Sequence, residues 1–301
     1  MRHLISALTG ILLLTSWGAS GNAAELRHNG MDRSYILQRP ADATGPRPTL
    51  IVLHGGGGGA ERIRDYTRFD MRSEGWVQVF PQGLHKRWND GRREPPGRYL
   101  ESDDVGFLSA LIDDLAARGI SDADRIFVVG LSNGGAMTQR LICDAPGKIA
   151  GAVVSIMNLP ENLARRPSCA DTAATPLMFM LGTNDPLVPY SGGSITVRNR
   201  SRGEVLSASD TMAFWAERNR CDGFASKDLT DRDPDDDTTV TVNTWAGCAA
   251  PLVEYKVNGA GHTWPGRTLP RILRRVLGKV SMEFSATAVV SEFFRDLANA
   301  R

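Results

Sequence analysis

Six short apolar runs, separated by segments with helical spacing, set the strongest limit on what this chain can fold into. They are "TLIVLHG", "WVQVFPQG", "RIFVVGLSNGG", "AGAVVSIM", "TPLMFMLGTND" and "LVEYKVNGAGH". Several are apolar on consecutive residues, the pattern of strands buried on both faces. Between and after them, "DDVGFLSALIDDLAARG", "GGAMTQRLICDAP" and "SATAVVSEFFRDLANAR" have helical spacing. The first carries acidic residues at its start and glycine at its end, and Ser285 is a natural N-cap for the last. Strands that alternate with helices require a mostly parallel sheet covered on both faces. No internal repeat and no linker rich in Pro, Gly or Ser interrupts the pattern.

The N-terminal residues stand apart. "MRHLISALTGILLLTSWGASGNAAE" has a basic start, an apolar middle and a small-residue end, which predicts a secretory signal peptide over residues 1–24. The apolar run is broken by Thr9, Gly10, Thr15 and Ser16 and falls short of the ~20 residues that a bilayer span needs. Residues 25–301 are expected to form one catalytic domain, large enough for a substantial core. A net charge of +1 with both signs interspersed offers no basic field for nucleic acid, and no later segment reads as a membrane span. The sequence sets no oligomeric state; a monomer is the expectation.

Four cysteines, Cys143, Cys169, Cys221 and Cys248, suit an oxidising compartment, periplasmic or extracellular. Pairing Cys143 with Cys169 and Cys221 with Cys248 closes two short local segments and is the preferred one of three connectivities. Zinc fits poorly, since there is no C-x-x-C and no histidine near any of the four. The polar run "DLTDRDPDDDTT" places aspartates from Asp231 to Asp237, a calcium-like spacing that lacks the glycine and closing glutamate of an EF-hand, so it reads as a solvated loop. The stretch around it, residues 191–248, is expected to be an insertion beside the cleft.

The glycine run of "LHGGGGGAER" has three readings. As a dinucleotide site it lacks the acidic residue that should close the next strand, where "VFPQG" stands instead. As a phosphate loop it lacks G-K-[ST]. The third reading depends on "VVGLSNGGAM", in which Gly130, Ser132 and Gly134 make G-x-S-x-G between an apolar strand and a helical segment. That context is a nucleophile elbow, although a plain strand-to-helix turn with Ser132 as a cap uses the same residue types.

A serine hydroxyl needs a base to take its proton and a carboxylate to orient that base. Of five histidines, His3 lies in the signal segment, His28 in the leading segment, His54 at a strand end and His85 in a charged loop. His262, in "GAGHTWPG" after the last strand, is left as the base. Asp185, in "GTNDPLVPY", falls between nucleophile and base in chain order and enters a turn set by Pro186. Asp210 competes but sits in a first helical turn, and Asp103 and Asp104 read as caps. The glycine run then serves an oxyanion hole, with one N–H from Asn133 and a second from Gly56 or Gly57.

Taken together, "LHGGGG", "FPQG", "DDVGFLSALIDDL", "GLSNGGAM", "GTNDPLVPY", "FWAERNRC" and "GAGHTWPG" resemble the secreted poly(3-hydroxybutyrate) depolymerase and feruloyl esterase group of α/β-hydrolases, within carbohydrate esterase family one. The resemblance runs from Leu50 to the final helix. It implies a secreted serine esterase with no metal and no organic cofactor, the triad above, disulfides near these cysteines, and Trp264 and Trp88 lining the acyl site. A departure is "VVSEFF", where the family pattern would put a tryptophan before Glu-Phe-Phe. The substrate class it implies is a hydroxyalkanoate ester or oligomer, with feruloyl or acetyl esters of plant polysaccharide as the alternative. A non-catalytic module that binds a wall polymer is the rival from another class.

Overall fold

The computed structural model describes residues 23–92 and 101–301. The segment expected to be a signal peptide lies outside these except for its last two residues. The strands are β1 (Ala23–His28), β2 (Met31–Gln38), β3 (Arg47–Leu53), β4 (Val77–Pro81), β5 (Ser121–Leu131), β6 (Gly151–Ser155), β7 (Leu177–Gly182), β8 (Gly193–Val197), β9 (Arg200–Val205), β10 (Gly223–Asp228), β11 (Thr239–Ala246) and β12 (Leu252–Asn258). The helices are α1 (Ala60–Thr67), α2 (Asp104–Ala117), α3 (Asn133–Asp144), α4 (Glu161–Ala164), α5 (Pro167–Ala170), α6 (Ala208–Arg218), α7 (Arg271–Leu277) and α8 (Ala286–Asn299).

Ten strands form one sheet in the order β1-β2-β4-β3-β5-β6-β7-β12-β11-β10. The central six, from β4 to β12, are parallel and correspond to the six apolar runs. Alternate residues of one strand feed opposite faces: in β3, Leu50 and Val52 join the core that α1 and α8 cover, whereas Ile51 and Leu53 join the core under α2 and α3. That two-sided burial is why these strands read as unbroken apolar stretches. The helices cap as their sequences imply, with Asp103 accepting from Gly106 N on α2 and Ser285 accepting from Ala288 N on α8. Ser291, where the family pattern has tryptophan, donates instead to Thr287 O at 2.8 Å.

The flanking strands are antiparallel and differ in kind. β10 and β11 extend the main sheet beyond β12, so part of the stretch 191–248, expected as an insertion, is built into that sheet. Within that stretch only β8 and β9 form a separate two-stranded sheet, while α6 packs Ala208, Met212 and Trp215 into the core. β11 continues the backbone ladder of β12, an edge that would otherwise stay unpaired. Two disulfides, Cys143–Cys169 and Cys221–Cys248, tie α3 to α5 and the end of α6 to the β11 end. The aspartate-rich loop is bound down by protein groups: the buried Glu283 accepts from Arg232 N and Asp233 N, Asp236 accepts from Thr238 and Met282 N, and Asp237 pairs with Lys279. Among the described residues no cluster of three His, Cys, Asp or Glu is placed to hold a metal, and no helix is long and apolar enough to cross a membrane.

Candidate active site

Parallel strands deliver their carboxyl ends to one edge of the sheet, and the candidate residues lie there. Ser132 follows β5, Asp185 follows β7 and His262 follows β12. Ser132 has φ 55 and ψ −119, a backbone conformation that L-residues adopt at a cost of about 1–3 kcal/mol. The strain is imposed by packing. A Cβ on Gly130 would lie 2.1 Å from Gly134 O, and one on Gly134 would lie 2.3 Å from Leu53 O. Only glycine at both positions lets α3 start this close to β3 and β5, which turns the chain sharply at Ser132. Ser132 N is held by Ser155 O at the end of β6, at 2.9 Å.

His262 Nδ1 donates to Asp185 Oδ2 at 2.7 Å, and both side chains are nearly buried. The other oxygen of Asp185 accepts from Leu187 N at 2.8 Å and Val188 N at 2.9 Å, the turn that Pro186 prepares. A carboxylate held in this way fixes the imidazole tautomer, leaving Nε2 with its lone pair for a proton. The two loops are also joined through backbone, with Asn184 N donating to Ala260 O at 2.9 Å. Asp210, the competing carboxylate, accepts from Ser207 Oγ in the first turn of α6 and serves that cap.

The glycine run backs directly onto the elbow. A Cβ on Gly55 would stand 3.4 Å from Ser132 Cβ, and one on Gly56 would stand 3.6 Å from Asn133 Cβ. Asn133 opens α3, whose first-turn N–H groups have no acceptor within the helix. Gly57, one of the two second-donor candidates, is corrected by the structure: its N–H donates to Lys86 O at 2.8 Å. Gly56 remains. The peptide that carries its N–H has the Gly55 carbonyl at its other end, and that oxygen accepts from His54 Nδ1 at 2.8 Å and Gly58 N at 3.0 Å.

His54 is thus a neutral structural histidine. Its Nδ1–H faces the Gly55 carbonyl while Nε2 accepts from Gly83 N at 3.0 Å, and burial pushes its pKa below the ordinary value.

Trp88 and Trp264 are also corrected. Their relative exposures are 1% and 0%, so neither offers a face to an acyl group. Trp88 Nε1 donates to His54 O at 2.9 Å, under the glycine run. Trp264 packs edge-on against Phe69 in the core and donates from Nε1 to Thr287 at 3.0 Å, under the loop of His262. Their role is to support the two loops from behind. Sequence reasoning missed Tyr66, whose hydroxyl accepts from Trp264 N, and Asp90, which accepts from the Asn133 side chain and pairs with Arg92. The only trace of the latter in the sequence is a charged pair beside a turn glycine in "WNDGR".

A family model described as Phospholipase/Carboxylesterase matches residues 102–201, which include Ser132 and Asp185. Among curated proteins, the chain is 27% identical over 293 residues to "Putative esterase NocK" of Nocardia uniformis subsp. tsuyamanensis, spanning 91% of this chain and 83% of that protein. It is 25% identical over 239 residues to feruloyl esterase B of Piromyces equi, spanning 76% of this chain but only 42% of that longer protein. Among solved structures, the acetyl xylan esterase from Aspergillus awamori superposes with a TM-score of 0.57 at 13% identity, covering 81% of this chain and 94% of that one. Given this sheet, this strand-edge site and these relatives, the chain is a carboxylic ester hydrolase of the α/β-hydrolase fold.

Proposed function

We propose that the protein is a secreted serine esterase working through an acyl-enzyme, with Ser132 as nucleophile, His262 as general base and Asp185 as its orienting carboxylate. The observation that carries this reading is the strained turn at Ser132, on the same sheet edge as the 2.7 Å Asp185–His262 contact. His262 Nε2 takes the hydroxyl proton as Ser132 Oγ adds to the ester carbonyl, and Asp185 stabilises the resulting imidazolium. The carbonyl oxygen, now negative, is received by the N–H groups of Asn133 and Gly56. The imidazolium returns its proton to the departing alcohol. Water, deprotonated by the same imidazole, then adds to the acyl-serine, and collapse of that second adduct frees the acid and restores Ser132.

The acyl group proposed is a short hydroxyalkanoate, as an ester or oligomer. Burial of Trp88 and Trp264 supports this choice, because the two indoles expected to stack on an aromatic acyl group are closed off. Feruloyl or acetyl esters of plant polysaccharide are the second reading, supported by the names of the relatives from Piromyces equi and Aspergillus awamori. Secretion is supported by the signal-like N-terminus and the two disulfides. The deciding experiment compares kcat/KM for 3-hydroxybutyrate oligomers and methyl ferulate, in the wild type and in Ser132→Ala. The oligomers are expected to be preferred and Ser132→Ala to be inactive on both; a large preference for ferulate reverses the substrate choice. Equal hydrolysis by both proteins ends the serine mechanism.

A further inference from the structure

Three hydrogen bonds use the whole side-chain amide of Asn133. Its Oδ1 accepts from Trp88 N at 2.8 Å, and its Nδ2 donates to Trp88 O at 3.0 Å and to Asp90 Oδ2 at 2.5 Å. The same Asp90 oxygen accepts from Arg92 Nε at 2.9 Å and from its second terminal nitrogen at 2.6 Å, with both side chains only 3% exposed. Arg92 also donates to Arg202 O at 3.0 Å, on β9 of the separate hairpin. That hairpin in turn meets the Asp185 loop, where Thr196 N donates to Leu187 O at 3.2 Å.

A buried ion pair in a connecting loop is a poor source of stability, because desolvating two charges offsets most of their attraction. This one has a geometric result instead. From Asp90 the bonds run through Asn133 to Trp88, from the Trp88 indole to His54 O, and from the His54 ring to the Gly55 carbonyl. The Gly55 carbonyl and the Gly56 N–H belong to one planar peptide, so holding the first aims the second. Both proposed oxyanion donors, Asn133 N–H and Gly56 N–H, are therefore held by one buried network. α3 has no side-chain cap of its own, so the Asn133 amide is a direct side-chain anchor at the start of its first turn.

We infer that Asp90 and Arg92 are positioning residues that hold the Asn133 side chain, and through it keep the two oxyanion donors in register. The inference rests on the oxyanion reading proposed above. Two full-length variants test it. Asn133→Ala keeps the backbone N–H but loses the three anchors, and Asp90→Ala combined with Arg92→Met removes acceptor and charge together, so that no lone charge stays buried. Each is expected to lower kcat about tenfold to hundredfold, less than outright deletion of a donor, with KM for a p-nitrophenyl ester unchanged. Each is also expected to weaken inhibition by phenylboronic acid, which forms an anionic tetrahedral adduct on the serine, by the same factor as kcat falls. A loss of folded protein alone would reduce turnover per total enzyme and leave that inhibition constant untouched; this result overturns the inference, as does wild-type kcat in both variants. If the double variant does not fold, Asn133→Ala decides. Activity surviving in Ser132→Ala would instead overturn the underlying oxyanion reading and the inference together.

Discussion

The Asp185–His262 side rests on one turn and one direct contact across 77 positions of sequence, whereas the oxyanion side rests on several side chains that interlock with one another. Asp185 is fixed by the N–H groups two and three residues on and by its contact with the His262 ring, while the backbone N–H of His262 donates to the Leu277 carbonyl. The glycine run and Asn133, by contrast, depend on His54, Trp88, Asp90 and Arg92, which interlock through side-chain amide, indole, imidazole and ion pair. The first arrangement tolerates change around it as long as two loops keep their turns. The second is a polar network inside a low-dielectric interior, where one missing partner leaves others unsatisfied. Structural vulnerability is thus greater on the oxyanion side.

The largest effect that bears on this contrast is expected at the triad. Ser132→Ala and His262→Ala should each lower kcat by at least ~10³, and the double variant should be hardly worse, because the groups act as one unit. Asp185→Asn should fall in the same range by presenting the wrong tautomer, while Asp210→Asn, at a helix cap, should leave turnover unchanged. Reversed kinetics for these two aspartate variants would reassign the carboxylate. Ser132→Ala should melt close to the wild type, whereas His262→Ala, which leaves the buried Asp185 carboxylate short of a partner, should melt lower; an unchanged Tm in His262→Ala would mean that the Asp185 turn holds the carboxylate by itself.

The disulfides come next. Each closes a loop of 26 or 27 residues and is expected to contribute about 3 kcal/mol. Cys143 and Cys169 are buried beneath α3, whereas Cys221 and Cys248 are partly open to solvent. Partial reduction followed by thiol labelling and peptide mapping should therefore find Cys221 and Cys248 labelled first. Labelling in the opposite order would mean that the α3 side opens more readily than its burial implies.

A smaller effect sharpens the oxyanion side. A Cβ at Gly58 would stand 2.9 Å from the Gly55 carbonyl that His54 holds, whereas one at Gly56 meets nothing closer than 3.6 Å. Gly58→Ala should shift that peptide and lower kcat about tenfold, a fraction of what loss of an oxyanion donor costs. Gly56→Ala should be milder, and steady-state kinetics on both variants ranks them; wild-type kcat in Gly58→Ala would move the second donor away from the Gly55–Gly56 peptide.

The smallest effect is pH-dependent. Burial holds the His54 pKa below its ordinary value of 6.5, so the folded protein refuses a proton that the unfolded chain accepts. Stability from this residue is complete above that ordinary value and declines as the pH falls through it toward the folded pKa. His54→Gln should be less stable than the wild type at neutral pH and should lose less stability on acidification, read as Tm at pH 7.5 and 5.5. An equal acid loss in both proteins would remove His54 as a source of it.

The sequence by itself determined the elements whose signal is local. The six central strands announced themselves because burial on both faces demands unbroken apolar runs, and G-x-S-x-G located the elbow because only glycine fits where β5, α3 and β3 touch. Chain order then singled out Asp185 and His262, and short separations the cysteine pairs. The antiparallel strands escaped notice for the complementary reason: β1 alternates between exposed and half-buried residues and β10 is exposed along its whole length, so neither carries an apolar run. Only the tertiary structure decided that β10 and β11 extend the main sheet, that Trp88 and Trp264 face inward, that Gly57 is engaged by Lys86, and that Asp90 reaches Asn133 across 43 positions of sequence. These outcomes depend on which polar groups meet when distant loops pack, and a hydrogen bond between distant residues leaves no periodicity for a sequence to display.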